Sequence, residues 1–509
     1  MIASVRFAGP GPMWGTPVAY AILLTACGGS SGGPSAPATH AIGVIVSGCD
    51  LPIMTNGIAM FAGGLAPGAA YAITVRKQPA FPIQACSVTN SSGTIGSGDV
   101  NDVAVTCATS ITTLYSFTGV TGGTGTIDGA VPNGSLVQGP DGSLYGTTSG
   151  GGADIYGRDT FGFGTAFKIS LSGREMVLHS FGALDGDASA PATGLIIGSD
   201  GNFYGTTPYI TNGITPASYR IDPAGAESVI HIASCFPGLD DYSMLGNVIQ
   251  GNDGLLYGAV YEYPDVGEPR YEIYGMTTAG ATVFTADIGP NLSLYTNLVQ
   301  TGDGRIFGTT NIAGTYGMGT VFEVKPDIKT IYSFGDFTGD ASAPRSPMIE
   351  GGDGNLYGTS ATGGGPSATC PKGCGTVFRV TSAGVVMVLY SFGSSPADGQ
   401  GPSGALIEGS DGNFYGVTAA GGAPASSGNT NPSCARVDPQ TGDRGCGTIY
   451  KITPAGVTTV LYSFGSSPAE GTAPAGALLQ ASDGNLYGTT AAGGAANKGT
   501  VFELLFGAG

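Results

Sequence analysis

The sequence predicts an all-β protein in which a small β-sandwich precedes a seven-bladed β-propeller. The main observation is a short stretch that recurs seven times, at intervals of 50 to 72 residues. Its last copy, over 483–490, reads Asp-Gly-Asn-Leu-Tyr-Gly-Thr-Thr. An Asp-Gly pair between apolar runs is a strong hairpin signal, because glycine accepts the positive φ of the turn. A calcium loop would need several alternating oxygen ligands, which these copies lack. The copies begin at Asp141, Asp200, Asp253, Asp303, Asp353, Asp411 and Asp483.

Each repeat contains four strand-like runs, which we call A, B, C and D. In the sixth repeat they span 405–408, 413–416, 447–452 and 458–464. Four-stranded units in four to eight copies are typical of a β-propeller. The region opens with a spare D run at 112–117 and ends with a C run at 499–504 that no D run follows. Pairing these two runs closes the ring and removes two exposed sheet edges.

The first 26 residues are predicted to be a targeting segment. Arg6 is their only charge, and a short apolar run at 17–24 precedes Cys27. The ending Leu-Thr-Ala-Cys resembles the lipobox of bacterial lipoproteins, which implies that Cys27 is acylated and becomes the first mature residue. A transmembrane helix is the alternative, but the run is far shorter than the ~20 residues that a span requires. Gly28 follows Cys27. By resemblance to Gram-negative lipoproteins, this residue suggests that the protein is located at the outer membrane or cell surface.

The rest of the chain divides into three parts. Residues 27–40 are rich in Gly, Ser and Pro and predict a flexible tether. Residues 41–108 contain short runs in which apolar residues alternate with others, and Gly, Pro and Asn separate these runs. This pattern predicts a small β-sandwich. This part resembles the immunoglobulin-like modules that precede repeats in bacterial surface lipoproteins. Residues 109–509 form the predicted propeller.

Cysteine usage agrees with export, because an oxidising compartment permits disulfide bonds. Three local pairs are plausible, and Cys49 and Cys235 remain without an assigned partner. Zinc is the competing interpretation at 370–374, but no second Cys/His pair lies near in sequence, and we expect no metal or cofactor. The candidate disulfides are Cys86–Cys107, Cys370–Cys374 and Cys434–Cys446.

Charge argues against one class of partner. The formal net charge is −18, with 18 Lys and Arg against 36 Asp and Glu. Phosphate binding needs clustered basic residues, so a nucleic acid is not expected as a partner. Membrane contact is expected through the lipid anchor.

The repeat resembles the GloVer-type tandem-repeat proteins of bacteria, over roughly 111–505. The shared pattern is Asp-Gly-Asn-Leu-Tyr-Gly-Thr-Thr, then Gly-Thr-Val-Phe-Lys-Ile, then Leu-Tyr-Ser-Phe. The resemblance implies an extracellular propeller and carries no established activity. We therefore expect a binding module for a glycan, a peptide or a cation. An extracellular lyase or glycosidase and a structural display protein are the alternatives.

No catalytic constellation is predicted. His179 and His231 stand where other D runs have Tyr, and we interpret them as substitutes within the repeat rather than catalytic bases. A different pattern precedes the A runs, where an acid stands four residues before a Pro or its equivalent. These acids either accept backbone N–H groups in a turn or form an acidic ring that binds a ligand. They are Asp128, Asp187, Asp240, Asp340, Asp398 and Glu470.

Overall fold

The structure is a computed structural model, and its described residues are all-β. Across them, no helical segment has the length and hydrophobicity needed to cross a lipid bilayer. Cys27, Cys49, Cys235 and Asp240 lie outside the described residues. The described ranges are 3–5, 40–47, 57–65, 70–75, 84–97, 100–109, 111–119, 128–152, 162–182, 187–191, 193–207, 209–210, 217–232, 246–262, 270–289, 297–324, 328–366, 370–395, 397–422, 434, 445–465, 467 and 469–505.

The chain divides into two compact units, 1–111 with 504–508, and 112–503 with 509. In the first unit, one sheet has the strand order Gly57–Leu65, His40–Ser47, Val100–Thr109, Gln84–Thr89. Its central pair is parallel. A second sheet joins Ala3–Val5, Ala70–Val75 and Ser92–Thr94. The immunoglobulin-like assignment of this unit stays a prediction.

Seven four-stranded blades make up the propeller, as the sequence predicts, and each runs A-B-C-D across its sheet. Repeats two and three depart most from the motif and still form blades. The main strands are Val137–Gln138, Leu144–Thr148, Thr165–Ile169 and Glu175–Ser180 in blade 1; Ile196–Ile197, Phe203–Thr207, Ala217–Ile221 and Glu227–Ile232 in blade 2; Ile249–Gln250, Leu256–Glu262, Arg270–Met276 and Thr282–Gly289 in blade 3; Asn297–Gln300, Ile306–Thr310, Thr320–Glu323 and Lys329–Ser333 in blade 4; Ile349–Glu350, Leu356–Ser360, Thr376–Val380 and Val386–Ser391 in blade 5; Ile407–Glu408, Phe414–Gly421, Thr448–Ile452 and Thr458–Ser463 in blade 6; and Gly471–Gln480, Leu486–Gly493, Thr500–Leu504 and Ile111–Ser116 in blade 7.

Short strands precede some A strands. Three of them pair with another short strand that follows strand B and form separate two-stranded sheets, and the fourth pairs with the end of strand B itself. They are Gly129–Ala130 with Gly150–Gly151, Ala188–Ser189 with Tyr209–Ile210, Ala341–Ser342 with Thr362–Gly363, and Gly399–Pro402 with Phe414–Gly421.

Blade 7 is completed by the strand Ile111–Ser116, as the spare D run predicts. The Phe117 amide donates to the Gly499 carbonyl at 3.0 Å. Across the closing junction, the Ala477 amide donates to Ser135 Oγ at 2.8 Å. The ring is therefore joined by sheet pairing within blade 7 and by hydrogen bonds between blades 7 and 1.

The recurring motif residues have local roles. In the last repeat, Tyr487 donates its hydroxyl to Asp483 at 2.6 Å, which fixes the A–B turn against strand B. Gly488 must lack a side chain, because an added Cβ would lie 2.5 Å from the Phe502 ring. The hydroxyls of Thr490 and Thr500 are 2.8 Å apart and join the end of strand B to the start of strand C.

Hydrophobic clusters span pairs of neighbouring blades. One cluster joins Phe117 and Tyr487 of blade 7 to Leu136 and Phe167 of blade 1. Another joins Tyr145 of blade 1 to blade 2, and its ring stacks on Phe203 at 4.4 Å between centroids. Burial of this apolar surface between blades is a major source of stability.

A second set of contacts joins the A–B turns around the ring. In each bond the acceptor is the side-chain oxygen of the last residue of an A strand. The donor is the backbone N–H of the residue that precedes the turn Asp in the preceding blade. Six of the seven junctions have this bond, at 2.7 to 2.9 Å. The acceptors are Gln138, Gln250, Gln300, Glu350, Glu408 and Gln480.

The junction between blades 1 and 2 lacks both partners of this bond. The donor position holds Pro140, which has no N–H, and the acceptor position holds Ile197, whose side chain has no oxygen. The two exceptions therefore fall in the same junction.

Restoring both partners is expected to stabilise the ring. Pro140→Ser alone adds a donor without an acceptor, and Ile197→Gln alone adds an acceptor without a donor. The double variant can form the missing bond, for which we expect about 0.5 kcal/mol of coupling free energy at an exposed site. A double-mutant cycle of urea unfolding measures it, and a coupling of zero would contradict the pairing.

Candidate functional site

The two faces of the propeller differ in their connections. The A–B and C–D turns share one face and are short, like the turns at 139–143 and 170–174. The D–A and B–C connections share the other face, which we call the long-loop face. Binding residues concentrate on long loops held by a rigid scaffold, so this face is the candidate site.

Five of the six predicted acids are described, and all five are buried, with 3 to 7% of their surface exposed. Asp340 Oδ2 accepts the hydroxyl of Tyr332 at 2.8 Å and the amide of Gly335 at 2.7 Å. Its Oδ1 accepts the Ala341 amide at 2.8 Å. Asp398 repeats this arrangement with Tyr390, Ser394 and Gly399. The acid therefore links the end of one D strand to the connection that leads to the next A strand.

The residues after the acid complete the link, which we call the interblade clamp. The residue three positions after the acid has positive φ in five blades, at 51 to 58°. Its amide donates to a carbonyl just before strand C of the preceding blade, as from Ala343 to Met318 at 2.9 Å. The following Pro344 packs on Gly319, where an added Cβ would lie 2.9 Å from the proline ring. The positive-φ residues are Val131, Ala190, Ala343, Gly401 and Ala473.

These contacts match the turn interpretation of the acid pattern. The Asp340 and Asp398 carboxylates are buried and accept several donors of their own chain. Asp128 likewise accepts the amide and hydroxyl of Thr118, both at 2.7 Å. At these positions the acids are buried in clamps between blades, and the acidic ring as a ligand site stays a prediction.

Two junctions carry a second carboxylate that sequence reasoning missed. Between blades 7 and 1, Glu175 joins Tyr115 and Asp128; between blades 1 and 2, Glu227 joins His179 and Asp187. Burial, with the charge of Asp128 next in size, raises the pKa of Glu175 to about 7. Burial and the neighbouring Asp187 raise the pKa of Glu227 above its ordinary value. The sequence signal that could have revealed these two residues is an acid at the first position of two consecutive D strands.

His179 lies against its acid in the place that Tyr332 and Tyr390 take elsewhere. Its Nε2 is 3.1 and 3.3 Å from the two oxygens of Asp187. His231 instead stacks on Tyr274, with ring centroids 4.8 Å apart. The two histidines of the D strands thus have different surroundings.

The structure contains two of the candidate disulfides, Cys370–Cys374 and Cys434–Cys446. Both lie in B–C connections, in the adjacent blades 5 and 6. Cys86 and Cys107 are register partners on neighbouring antiparallel strands.

Blade 4 presents an exposed apolar group on the long-loop face, which we call the blade-4 patch. It comprises Ile312, Tyr316, Met318 and Phe337, each 45 to 54% exposed. The B–C and D–A connections that carry them touch, since the Tyr316 hydroxyl donates to Asp336 at 2.8 Å. Sequence reasoning missed this patch, because exposure of loop side chains is set by tertiary contacts.

A cavity of about 230 Å³ lies on the opposite face, between blades 4 and 5. It is lined by Asp303, Arg305 and Glu350 among others. Arg305 is already engaged there, with its Nε 2.8 Å from Asp303 and its guanidinium 5.0 Å from the Phe307 ring. Phe307 also lines the cavity but is buried, unlike the aromatic side chains of the blade-4 patch.

Comparison with known families confirms the resemblance drawn from the repeat motif. The model described as the Gloeobacter/Verrucomicrobia repeat matches residues 86–268 and 272–430, which is more than half of the chain. No curated protein matches the sequence.

Solved structures with similar architecture include the periplasmic gluconolactonase PpgL of Pseudomonas aeruginosa. It shares 15% identity at a TM-score of 0.40, over 70% of this chain and 95% of that one. An extracellular domain from B. thetaiotaomicron, BT3049, shares 11% identity at a TM-score of 0.45, over 83% of this chain. This chain spans 45% of the length of that domain.

Glu175 predicts a pH dependence of stability. Its pKa rises from 4.5 to about 7 on folding, so the folded state holds the proton more tightly. Its stabilising contribution is complete below pH 4.5 and is lost as the pH rises through 7. We expect Glu175→Gln to raise the free energy of unfolding at pH 8 by about 1 kcal/mol, after discounting for solvent screening.

The measurement is urea unfolding between pH 5 and 8. The control is Glu408→Gln, which installs the residue that blades 1, 3, 4 and 7 use at that position. An unchanged pH profile in Glu175→Gln would contradict the assignment.

Proposed function

Because the chain belongs to the Gloeobacter/Verrucomicrobia repeat family, we propose that it is an exported, lipid-anchored propeller that binds a ligand through its long-loop face. The observation that carries the binding proposal is the blade-4 patch. Exposed Tyr, Phe and Met side chains on touching loops are the residue types that dominate recognition surfaces. The ligand is a glycan or a peptide with an apolar face that packs on these side chains.

Rigid support for the loops favours this proposal. The D–A connections are held by the interblade clamps, and two B–C connections are bridged by disulfides. Loops that are ordered before binding lose less conformational entropy when the ligand arrives. The four side chains of the blade-4 patch include no His or carboxylate for general acid–base chemistry, so binding fits the patch better than catalysis.

The disulfides also favour export. Disulfide bonds persist in oxidising compartments and are rare in the cytosol. The lipobox at Leu24 to Cys27 and the Gly-rich residues after it would then anchor the protein to a membrane through an acylated cysteine. We place it at the outer membrane or cell surface.

Ligand binding can be tested with glycan and peptide arrays and the full mature chain. We expect Phe337→Ser and Tyr316→Ser to weaken the binding of array hits at least about tenfold, since each removes exposed apolar contact area. Val385→Ser and Val457→Ser are the matched controls, because these residues are 64 and 65% exposed at C–D turns on the opposite face. Hits that respond only to the control variants would refute the proposed face.

Anchoring is tested separately at Cys27. In a bacterial host that processes lipoproteins, we expect the protein in the membrane fraction, with an intact mass that fits an acylated chain beginning at Cys27. Cys27→Ala should release it from the membrane, whereas Cys49→Ala should not. An unmodified chain that retains residues 1–26 would refute the anchor.

A further inference from the structure

The junction between blades 1 and 2 brings together His179, Asp187 and Glu227. Each offers one ligand atom, and these atoms lie within 4.8 Å of one another. His179 and Glu227 come from the D strands of blades 1 and 2, and Asp187 from the connection between the blades. The side chain of Asp187 is 1% exposed and that of His179 13% exposed, so the group is enclosed but reachable.

The other junctions show what is special here. Asp340 and Asp398 have their oxygens occupied by a Tyr hydroxyl and by backbone amides. The residues aligned with Glu227 in blades 5 and 6 are Val386 and Thr458, which do not ionise. The junction of blades 1 and 2 replaces the Tyr with His and adds a carboxylate. Both changes supply metal-ligand atoms.

A positive charge would stabilise the carboxylates of Asp187 and Glu227, which lie close together in this junction. Glu227 Oε1 is buried and has no hydrogen-bond partner among the described residues. A buried, unpartnered carboxylate oxygen is costly, and a cation between the two acids would remove that cost.

We propose that His179, Asp187 and Glu227 bind one divalent transition-metal ion of the Zn²⁺ class between blades 1 and 2. One imidazole nitrogen and two carboxylate oxygens form a ligand set that Zn²⁺ accepts, with water in the remaining position. Ca²⁺ and Mg²⁺ fit less well, because they prefer more oxygen ligands. Ligand atoms around one zinc lie at most about 4.2 Å apart, so the side chains need move by less than about 1 Å.

The repeat offers an internal comparison for this site. Between blades 7 and 1, Tyr115 stands in the place of His179, beside Asp128 and Glu175. That junction has the same pair of acids without an imidazole. Tyr115→His should therefore create a second site of the same kind.

The test is calorimetric titration of Zn²⁺ into the metal-stripped full chain. We expect one ion per chain and a rise in melting temperature, because the ion binds the folded state. His179→Tyr, which installs the residue of the other junctions, should weaken binding at least about tenfold and abolish the thermal shift. Glu227→Thr, the residue found at 458, should do the same and serves if His179→Tyr misfolds. His231→Tyr is the control and should leave binding unchanged.

Tyr115→His should raise the stoichiometry from one ion to two. Substituting Co²⁺ for Zn²⁺ adds an absorption spectrum that reports nitrogen and oxygen ligation and distinguishes this site from a cysteine site. The proposal is overturned if the wild-type chain binds no Zn²⁺, or if His179→Tyr and Glu227→Thr bind it as well as the wild type.

Discussion

The interblade clamp is the interaction on which the rest of the propeller depends. Each D–A connection must fix one blade against the next, because the strands of neighbouring blades belong to separate sheets. The clamp does so by burying a carboxylate, and burial of a charge is tolerated only when several donors satisfy it. Asp340 meets that condition with four donors, from Tyr332, Gly335, Asp336 and Ala341. The positive φ of the residue before the proline is a strained choice for alanine or valine, and the surrounding bonds hold it in place.

Much of this fold could be read from the sequence, because its turns and strands are specified locally. The Asp-Gly turn, the Tyr that bonds back to its Asp and the Gly beneath an aromatic ring all act within one blade. The spare D run also predicted the closure of the ring. The acid before Pro was visible as a pattern, but its surroundings were not, since the path of each connection over its junction is a tertiary property. The missing hydrogen bond between positions 140 and 197 could be predicted from Pro140 and Ile197 only once the A–B turns were known to touch.

The sites that sequence reasoning missed lie where the repeat departs from itself. Glu175 and Glu227 open D strands at a position where blades 5 and 6 have Val386 and Thr458. His179 departs from the Tyr of its position in the same junction as Glu227. Natural sequences tend to break their own local rules at functional or strained sites. A buried pair of acids is destabilising by itself, so its presence in two consecutive junctions requires either a shared proton or a cation, and only one of these junctions has an imidazole beside the acids.

The blade-4 patch and the junction of blades 1 and 2 are separable in energy. In a repeat architecture each blade contacts mainly its two neighbours, and stability is close to a sum of blade and junction contributions. Blade 3 stands between the blades that carry the two sites in chain order. Substitutions at sites without shared partners have nearly additive effects. A metal ion at the junction should therefore change the stability of the ring without changing the affinity of the patch, and a measured coupling between them would show that the clamps transmit strain from blade to blade.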